Sequence, residues 1–162
     1  MAGKGESTGM GVQLQKSNGA TPEPEYISVL GIKNVSGPDM SRDTHDVTDM
    51  DSGTFREFIG GLVDAGEVSF EANFLPRDPS QNQSDGGFMA EFDRGSCDSR
   101  GRWRILLPEC EGEPSAYFEF DGIVTGQAIE MPMDDVMGFN GTIKLSGRPS
   151  LFVEGQASSS GA

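Results

Sequence analysis

The amino-acid sequence predicts a mainly β domain, an antiparallel β-sandwich or small barrel with one flanking α-helix. Three observations carry this. Apolar residues recur mostly with period two, the spacing that places every other side chain on one face of a strand. Gly supplies 23 of the 162 residues and Pro nine; that glycine share is about twice the usual one and cuts the chain into short segments joined by turns. Runs with a helical period are scarce.

In chain order, residues 1–24 are rich in Gly, Ser, Lys and Gln and leave through TPEPE, so they read as a flexible arm. EYISVLGIKNVSGPD, from Glu25, reads as one strand running into a Gly37-Pro38 turn. TFREFIGGL, from Thr54, reads as one or two turns of helix stopped at Gly60 and Gly61. EVSFEANFLP alternates cleanly, with Val68, Phe70, Ala72 and Phe74 on one face and Ser69, Glu71 and Asn73 on the other. PSQNQSDGGFMAEFDRG reads as the one real helix, its apolar Phe88, Met89 and Phe92 gathered late. GRWRILLP is a strand ended by Pro108. SAYFEFDGIVTGQAIEMP is a long strand, with Gly122 and Gly126 as places for a bend or bulge. MDDVM is short enough for a hairpin turn. GFNGTIKLSGRP alternates again, Phe139, Ile143 and Leu145 facing away from Asn140, Thr142 and Lys144. The tail EGQASSSGA, from Glu154, is too small and polar to pack. The expected layout is an arm over 1–24, one β domain over 25–153 and a disordered tail over 154–162, with no internal repeat.

Composition limits what such a domain can do. Hydrophobic residues are 35% of the chain, yet ten Phe and eight Met can fill one modest core. The net charge of −14 argues against non-specific nucleic-acid binding, because phosphate affinity is built from Lys and Arg. The same charge keeps a monomer soluble and repels anionic membranes. No stretch approaches the roughly 20 apolar residues that span a bilayer, and the N-terminus lacks an apolar signal core. No membrane partner is expected. Cys97 and Cys110 belong to no CxxC or Cys/His motif. Two reduced thiols in a cytoplasmically made protein is the reading; a single bridge closing the short loop is the alternative.

RDTHDVTDMDSG, residues 42–53, gathers Asp43, Asp46, Asp49 and Asp51 around His45, the chain's single histidine. A calcium loop counted from Asp49 puts Gly53 and Gly60 where oxygen ligands are required. His45 beside Asp43 or Asp46 would suit an oriented imidazole, but no nucleophile elbow accompanies it. One His and two distant Cys do not build a zinc site. The stretch reads as a strand end and a polar turn. No catalytic residue, metal ligand or cofactor is expected.

Arg94, Arg100, Arg102 and Arg104 form the one basic cluster, read as inter-subunit or intra-chain partners for carboxylates. Trp103 among them reads as a core or interface anchor. From Glu109 to Asp135 run eight acidic residues without a Lys or Arg, a solvated face or a deliberately anionic surface.

The order of NVSGPD, DVT, FREFIGGL, DAGEVSFE and DPSQ over residues 34–81, with FDGIVTGQAIEMPMDD and GFNGTIKLSGRPS near the end, resembles the tail tube (major tail) proteins of long, non-contractile-tailed bacteriophages and gene transfer agents. The resemblance covers roughly residues 25–152. It implies a β-sandwich with one helix, a short helical turn at FREFIGGL, and a structural rather than enzymatic role. It also implies six-membered rings that stack into a hollow tube carrying DNA without binding it specifically. The implied partners are further copies of the chain and the tape measure, tail terminator and distal tail proteins; the implied place is the virion tail, assembled in the bacterial cytoplasm. On that reading the late hairpin lines the lumen. Glu119, Asp121, Thr125 and Gln127 face it from one strand and Asn140, Thr142 and Lys144 from the next, while Arg94, Arg100, Arg102, Trp103 and Arg104 are candidates for the subunit interface. The competing reading is a ligand-binding β-sandwich, a carbohydrate or calcium-dependent adhesion module, which calls for paired surface aromatics or a complete carboxylate cage.

Overall fold

The structure is a computed structural model and describes residues 10–19, 25–95, 97, 100–108 and 116–153. Its strands are β1 (Gln13–Ser17), β2 (Tyr26–Ser28), β3 (Ile32–Ser36), β4 (Ser41–Asp46), β5 (Phe58–Asp64), β6 (Glu67–Asn73), β7 (Arg100–Leu106), β8 (Ala116–Glu130) and β9 (Gly138–Val153), with one helix, α1 (Phe88–Phe92), among the described residues. Seven strands form an antiparallel sheet in the order β2-β1-β7-β8-β9-β6-β3, and β4 and β5 form a separate hairpin.

β2 and β3 lie at opposite ends of that order, yet only residues 29–31 separate them in the chain. A segment so short spans at most about 15 Å, so the sheet must curl until its ends approach. Two bonds show the chain changing partner there: Val29 N–H donates to Leu14 O and Asn73 N–H to Gly31 O. The single strand expected over this stretch is therefore two, broken where Gly31 takes a positive φ of 78°. Gln81 pins the break. Fully buried, it donates to Leu30 O and Asn73 O and accepts from Leu75 N–H.

The concave face of the curled sheet holds the core. Alternation supplies it: Val68, Phe70 and Ala72 from β6, Trp103 and Ile105 from β7, Phe120 and Val124 from β8, and Phe139, Ile143 and Leu145 from β9. α1 closes over them with Phe88, whose ring meets Phe70 at 4.8 Å, Phe139 at 5.6 Å and Trp103 at 5.7 Å, all edge-to-face. Gly141 makes room for this cluster, since a Cβ there would lie 2.5–2.6 Å from the Phe70 and Phe88 rings.

Three sequence expectations need correcting. The helix is five residues long, because most of the polar stretch before Phe88 is spent on turns, including Ser80 and Gln81 bonds to Asp78. The FREFIGGL segment is not helical: Phe58–Asp64 is β5, paired with β4 from Asp46↔Phe58 to Ser41↔Asp64. Two adjacent glycines cost a helix about 1 kcal/mol each, and a partner strand is present. Within the expected arm, Gln13–Ser17 is a strand between β2 and β7, with Leu14 fully buried; residues 1–9, 20–24 and 154–162 lie outside the described residues. Cys97 is an exposed free thiol, and Cys110 lies outside the described residues.

Candidate functional site

The convex face of the sheet is polar, and the long β8–β9 hairpin divides it into two halves. Over its first half β8 pairs with β7 on one side, from Leu106↔Tyr117 to Arg100↔Ile123. Over its second half, from Val124 to Glu130, it pairs with β9 alone among the described residues. β9 in turn meets β6 only from Gly138 to Lys144.

The first half is a closed network. Arg102 reaches Asp121 at 3.1 Å and Glu119 at 3.6 Å, and Tyr26 donates to Glu119 at 2.6 Å. The bond to Asp121 holds the Arg102 guanidinium more firmly protonated than usual. Partial burial, and then the bond to Glu119, raise the Tyr26 phenol above its ordinary value. Arg104 lies between two rings, 3.8 Å from the Tyr26 centroid and 4.3 Å from that of Tyr117, a half-buried cation–π arrangement. Tyr117 stacks on Phe152.

The second half is a rectangular four-stranded patch, β8-β9-β6-β3. Its rows run straight across: Ala128, Asn140, Glu71 and Asn34 are successive partners, as are Gly126, Thr142, Ser69 and Ser36. Both rows face outward, opposite to the row of Gln127, Gly141, Phe70 and Val35 that faces the core.

The expected lumen residues therefore do not form one face. Asn140, Thr142 and Lys144 share the patch, with Thr125 beside them at a bulge and its hydroxyl 3.5 Å from Thr142 O. Glu119 and Asp121 share the convex side but belong to the first half, tied to Arg102 and Tyr26. Gln127 lies on the other side of the sheet, because the register shift between Val124 and Gly126 inserts one residue and inverts the alternation beyond it. The basic cluster is dispersed as well. Arg94 pairs with Glu91 of α1 at 2.9 Å, Arg100 is exposed at the start of β7, and Arg102 and Arg104 serve the first-half network. Trp103 is wholly buried in the protomer, so it is a core residue and not a surface anchor.

The Asp-rich stretch forms β4 and the turn beyond it. His45 is exposed opposite Ile59, Asp49 accepts from Asp51 N–H and Ser52 Oγ, and Thr48 and Glu57 exchange bonds across the turn. What sequence reasoning missed is how bare this hairpin is. Met40, Phe55, Phe58, Ile59, Leu62 and Val63 are all at least half exposed. The apolar Phe55, Phe58, Ile59 and Leu62 are the signal, but they fall in the stretch read as one or two turns of helix. At the hairpin base Gly37 and Gly66 have positive φ, and a Cβ on Gly66 would fall 1.9 Å from Asp39 O. Beneath it lies a cleft of about 880 Å³ that includes Met40, Leu62, Phe118 and Leu151.

A family model described as the lambda phage tail tube protein matches residues 13–152. The chain belongs to that family. This tail tube protein also shares its fold with assembled tails in solved structures. The tail of an empty gene transfer agent particle, of C6 symmetry, superposes with a TM-score of 0.66 at 14% identity, over 91% of this chain and 99% of the other. The tube-terminating cap of the anti-feeding prophage gives 0.66 at 13% identity, over 94% and 95%. The SPP1 tail tube gives 0.58 at 8% identity, over 88% and 76%. No curated protein sequence matches the chain.

Proposed function

We propose that this tail tube protein forms six-membered rings that stack into a hollow tube, through which DNA passes on its way to the host cell. Its partners are then neighbouring copies, with the tape measure, terminator and distal tail proteins at the tube's core and ends. The protein is assembled in the bacterial cytoplasm and ends in the virion.

The observation that carries this reading is the β4–β5 hairpin, which pairs with no other strand among the described residues. A two-stranded ribbon is marginal by itself in water. This one adds the cost of six large exposed apolar side chains, a surface that soluble proteins keep for partners. Neighbouring copies in a ring or stack supply the missing cover. Family membership and the sixfold symmetry of the gene transfer agent tail support a copy number of six. The net charge of −14 suits a conduit that must release its polyanionic cargo.

The test is electron microscopy of the purified protein together with its Phe58→Ser/Leu62→Ser variant. Rings or tubes of sixfold symmetry from the first, and folded monomers from the second, are expected. A protein that stays monomeric at every concentration, even with tail extract as an initiator, refutes the reading.

A further inference from the structure

We infer that the β4–β5 hairpin is also a lid: in the unassembled protomer it closes over the cleft at its own base, and joining a ring requires it to open. The inference rests on the ring reading above and concerns the chain before assembly.

The cleft, of about 880 Å³, has two lips. Met40, Leu62 and Val63 line one from the hairpin; Phe118 of β8 with Leu145 and Leu151 of β9 line the other. Leu145 belongs to the core and Phe118 packs against it, so the cleft continues the core outward beneath the hairpin. Apolar side chains are bare on both lips, Leu62 at 84% exposure and Leu151 at 54%. A hairpin turned inward brings these surfaces together and removes them from water, which favours closure.

The strands supply the hinge. β5 leads into β6 through Ala65 and Gly66 alone. β6 follows β9 as far as Lys144, and Leu145 N–H donates to Gly66 O. Beyond that bond β5 departs from β9, and the two strands become the walls of the cleft. The other leg of the hairpin passes Gly37, where a Cβ would fall 2.4 Å from Glu67 O, so both legs cross at one narrow waist. Past the waist, one exposed ion pair, Lys144–Asp64, ties the ribbon to the sheet among the described residues. An exposed pair is a weak tie and leaves the ribbon free to turn.

Side-chain packing, not strand pairing, is the cover that suits this edge. Among the described residues, β9 beyond Leu145 is bonded only to β8. There residues 147–149 bulge opposite Phe120, between the pairs Asp121↔Ser146 and Glu119↔Ser150, and Pro149 has no N–H to offer a ladder. A bulge and a proline blunt an edge against another strand. Closure would hide, in the free chain, apolar side chains that neighbouring copies cover in the ring. The hairpin is then a two-state element, shifted to its open form by the ring that binds it.

The test places Leu62→Cys and Leu151→Cys together in a Cys97→Ser/Cys110→Ser background. Mild oxidation of the dilute protein is expected to give a faster-migrating monomer band on a non-reducing gel. That crosslinked monomer should join tubes at least about tenfold more slowly than the reduced one, because only the open fraction can add. Reductant should restore the rate, which also shows that the variant is folded. Leu151→Ser supplies the second measurement: weakening the seat should speed tube formation, whereas a residue that served only the tube would slow it. Absence of the intramolecular bond, covalent dimers in its place, or a crosslinked monomer that assembles as fast as the reduced one overturns the inference. So does a Leu151→Ser protein whose assembly is unchanged or slower. Absence of rings or tubes from the unsubstituted protein instead removes the ring reading, and the gel band still reports whether the lid closes.

Discussion

Lys144 of β9 and Asp64, the last residue of β5, are 80 positions apart in the chain and form an ion pair of 3.0 Å. The pair fastens the base of the free hairpin to the sheet. Asp64 also accepts from Gly66 N–H at 2.8 Å, and that bond, followed by Lys144, holds its carboxyl below the usual aspartate range. Lys144→Ala should therefore speed amide exchange across residues 39–66 while leaving the global unfolding midpoint nearly unchanged, as befits an exposed pair. The pH dependence has a definite sign. A carboxylate whose folded pKa is depressed contributes above its unfolded value, near 3.9, and loses that contribution as pH falls through the lower folded value. Hairpin protection in the unsubstituted protein should fall off only below about pH 4, and Lys144→Ala should flatten that dependence.

Phe88 carries the closure of the core from a helix of five residues, so its truncation should be costly. Phe88→Ala is expected to lower unfolding free energy by about 3–5 kcal/mol, since the surrounding rings belong to the sheet and cannot collapse far. Gly141→Ala tests the same contact from the other side. Its Cβ would press on Phe70 and Phe88, an overpacking worth about 1–3 kcal/mol. Urea denaturation of both variants measures it; a Gly141→Ala protein of unchanged midpoint would show that the cluster has slack.

These cases also show how the sequence could be read and where it could not. β6, β7, β8 and β9 follow from local alternation, because one face of each is buried and period two is enough to see it. Gln127 did not follow. Its side depends on one extra residue at Thr125, and whether Gly122 or Gly126 marks the slip is decided by pairing with β9. Strand β1 was hidden for a related reason: QLQKS has one large apolar side chain, Leu14, and its edge-to-edge fit between β2 and β7 is a tertiary fact. The Arg104 site joins Tyr26 and Tyr117 from distant strands, so no spacing announces it. The β4–β5 hairpin carries helical spacing because none of its large apolar residues belongs to the core among the described residues.

Tyr26 offers a spectroscopic handle on the convex network. Only two tyrosines are present, and Tyr26 is shifted upward by burial and by its bond to Glu119. Ultraviolet titration should find the Tyr26 phenol ionising above the ordinary value of about 10, and Tyr26→Phe should remove that component. The raised folded pKa means that the contribution is complete below the unfolded value and is lost as pH climbs through the folded one. Near neutral pH the deleted hydroxyl should cost about 1.5 kcal/mol, the lower figure for a bond to a charged group.

The last prediction separates the two halves of the convex face by their effect on DNA. Glu71 stands exposed in the middle of the four-stranded patch, between Asn34 and Asn140, and Glu67 and Glu130 mark the same patch. Lys144, the one cation directly across from Glu67, is already held by Asp64. If this patch lines the bore, each carboxylate recurs in every copy and forms an acidic collar. Screening acts over about 8 Å at physiological salt, so DNA near the wall feels the collar while DNA on the axis does not. Glu71→Lys replaces repulsion by a ring of phosphate-binding sites, each contact exchanging for a released counterion. Tubes should still assemble, because the Glu71 side chain is exposed and forms no hydrogen bond or ion pair among the described residues. DNA delivery by particles carrying the variant should slow at low salt and recover as salt rises. Glu119→Lys should behave differently. It breaks the Tyr26 bond and places a cation against Arg102, so the loss should appear as a destabilised protomer and fewer tubes, with no recovery of delivery rate in salt. Salt-dependent slowing by Glu119→Lys, with Glu71→Lys inert, would exchange the roles of the two halves and put the first one in the bore.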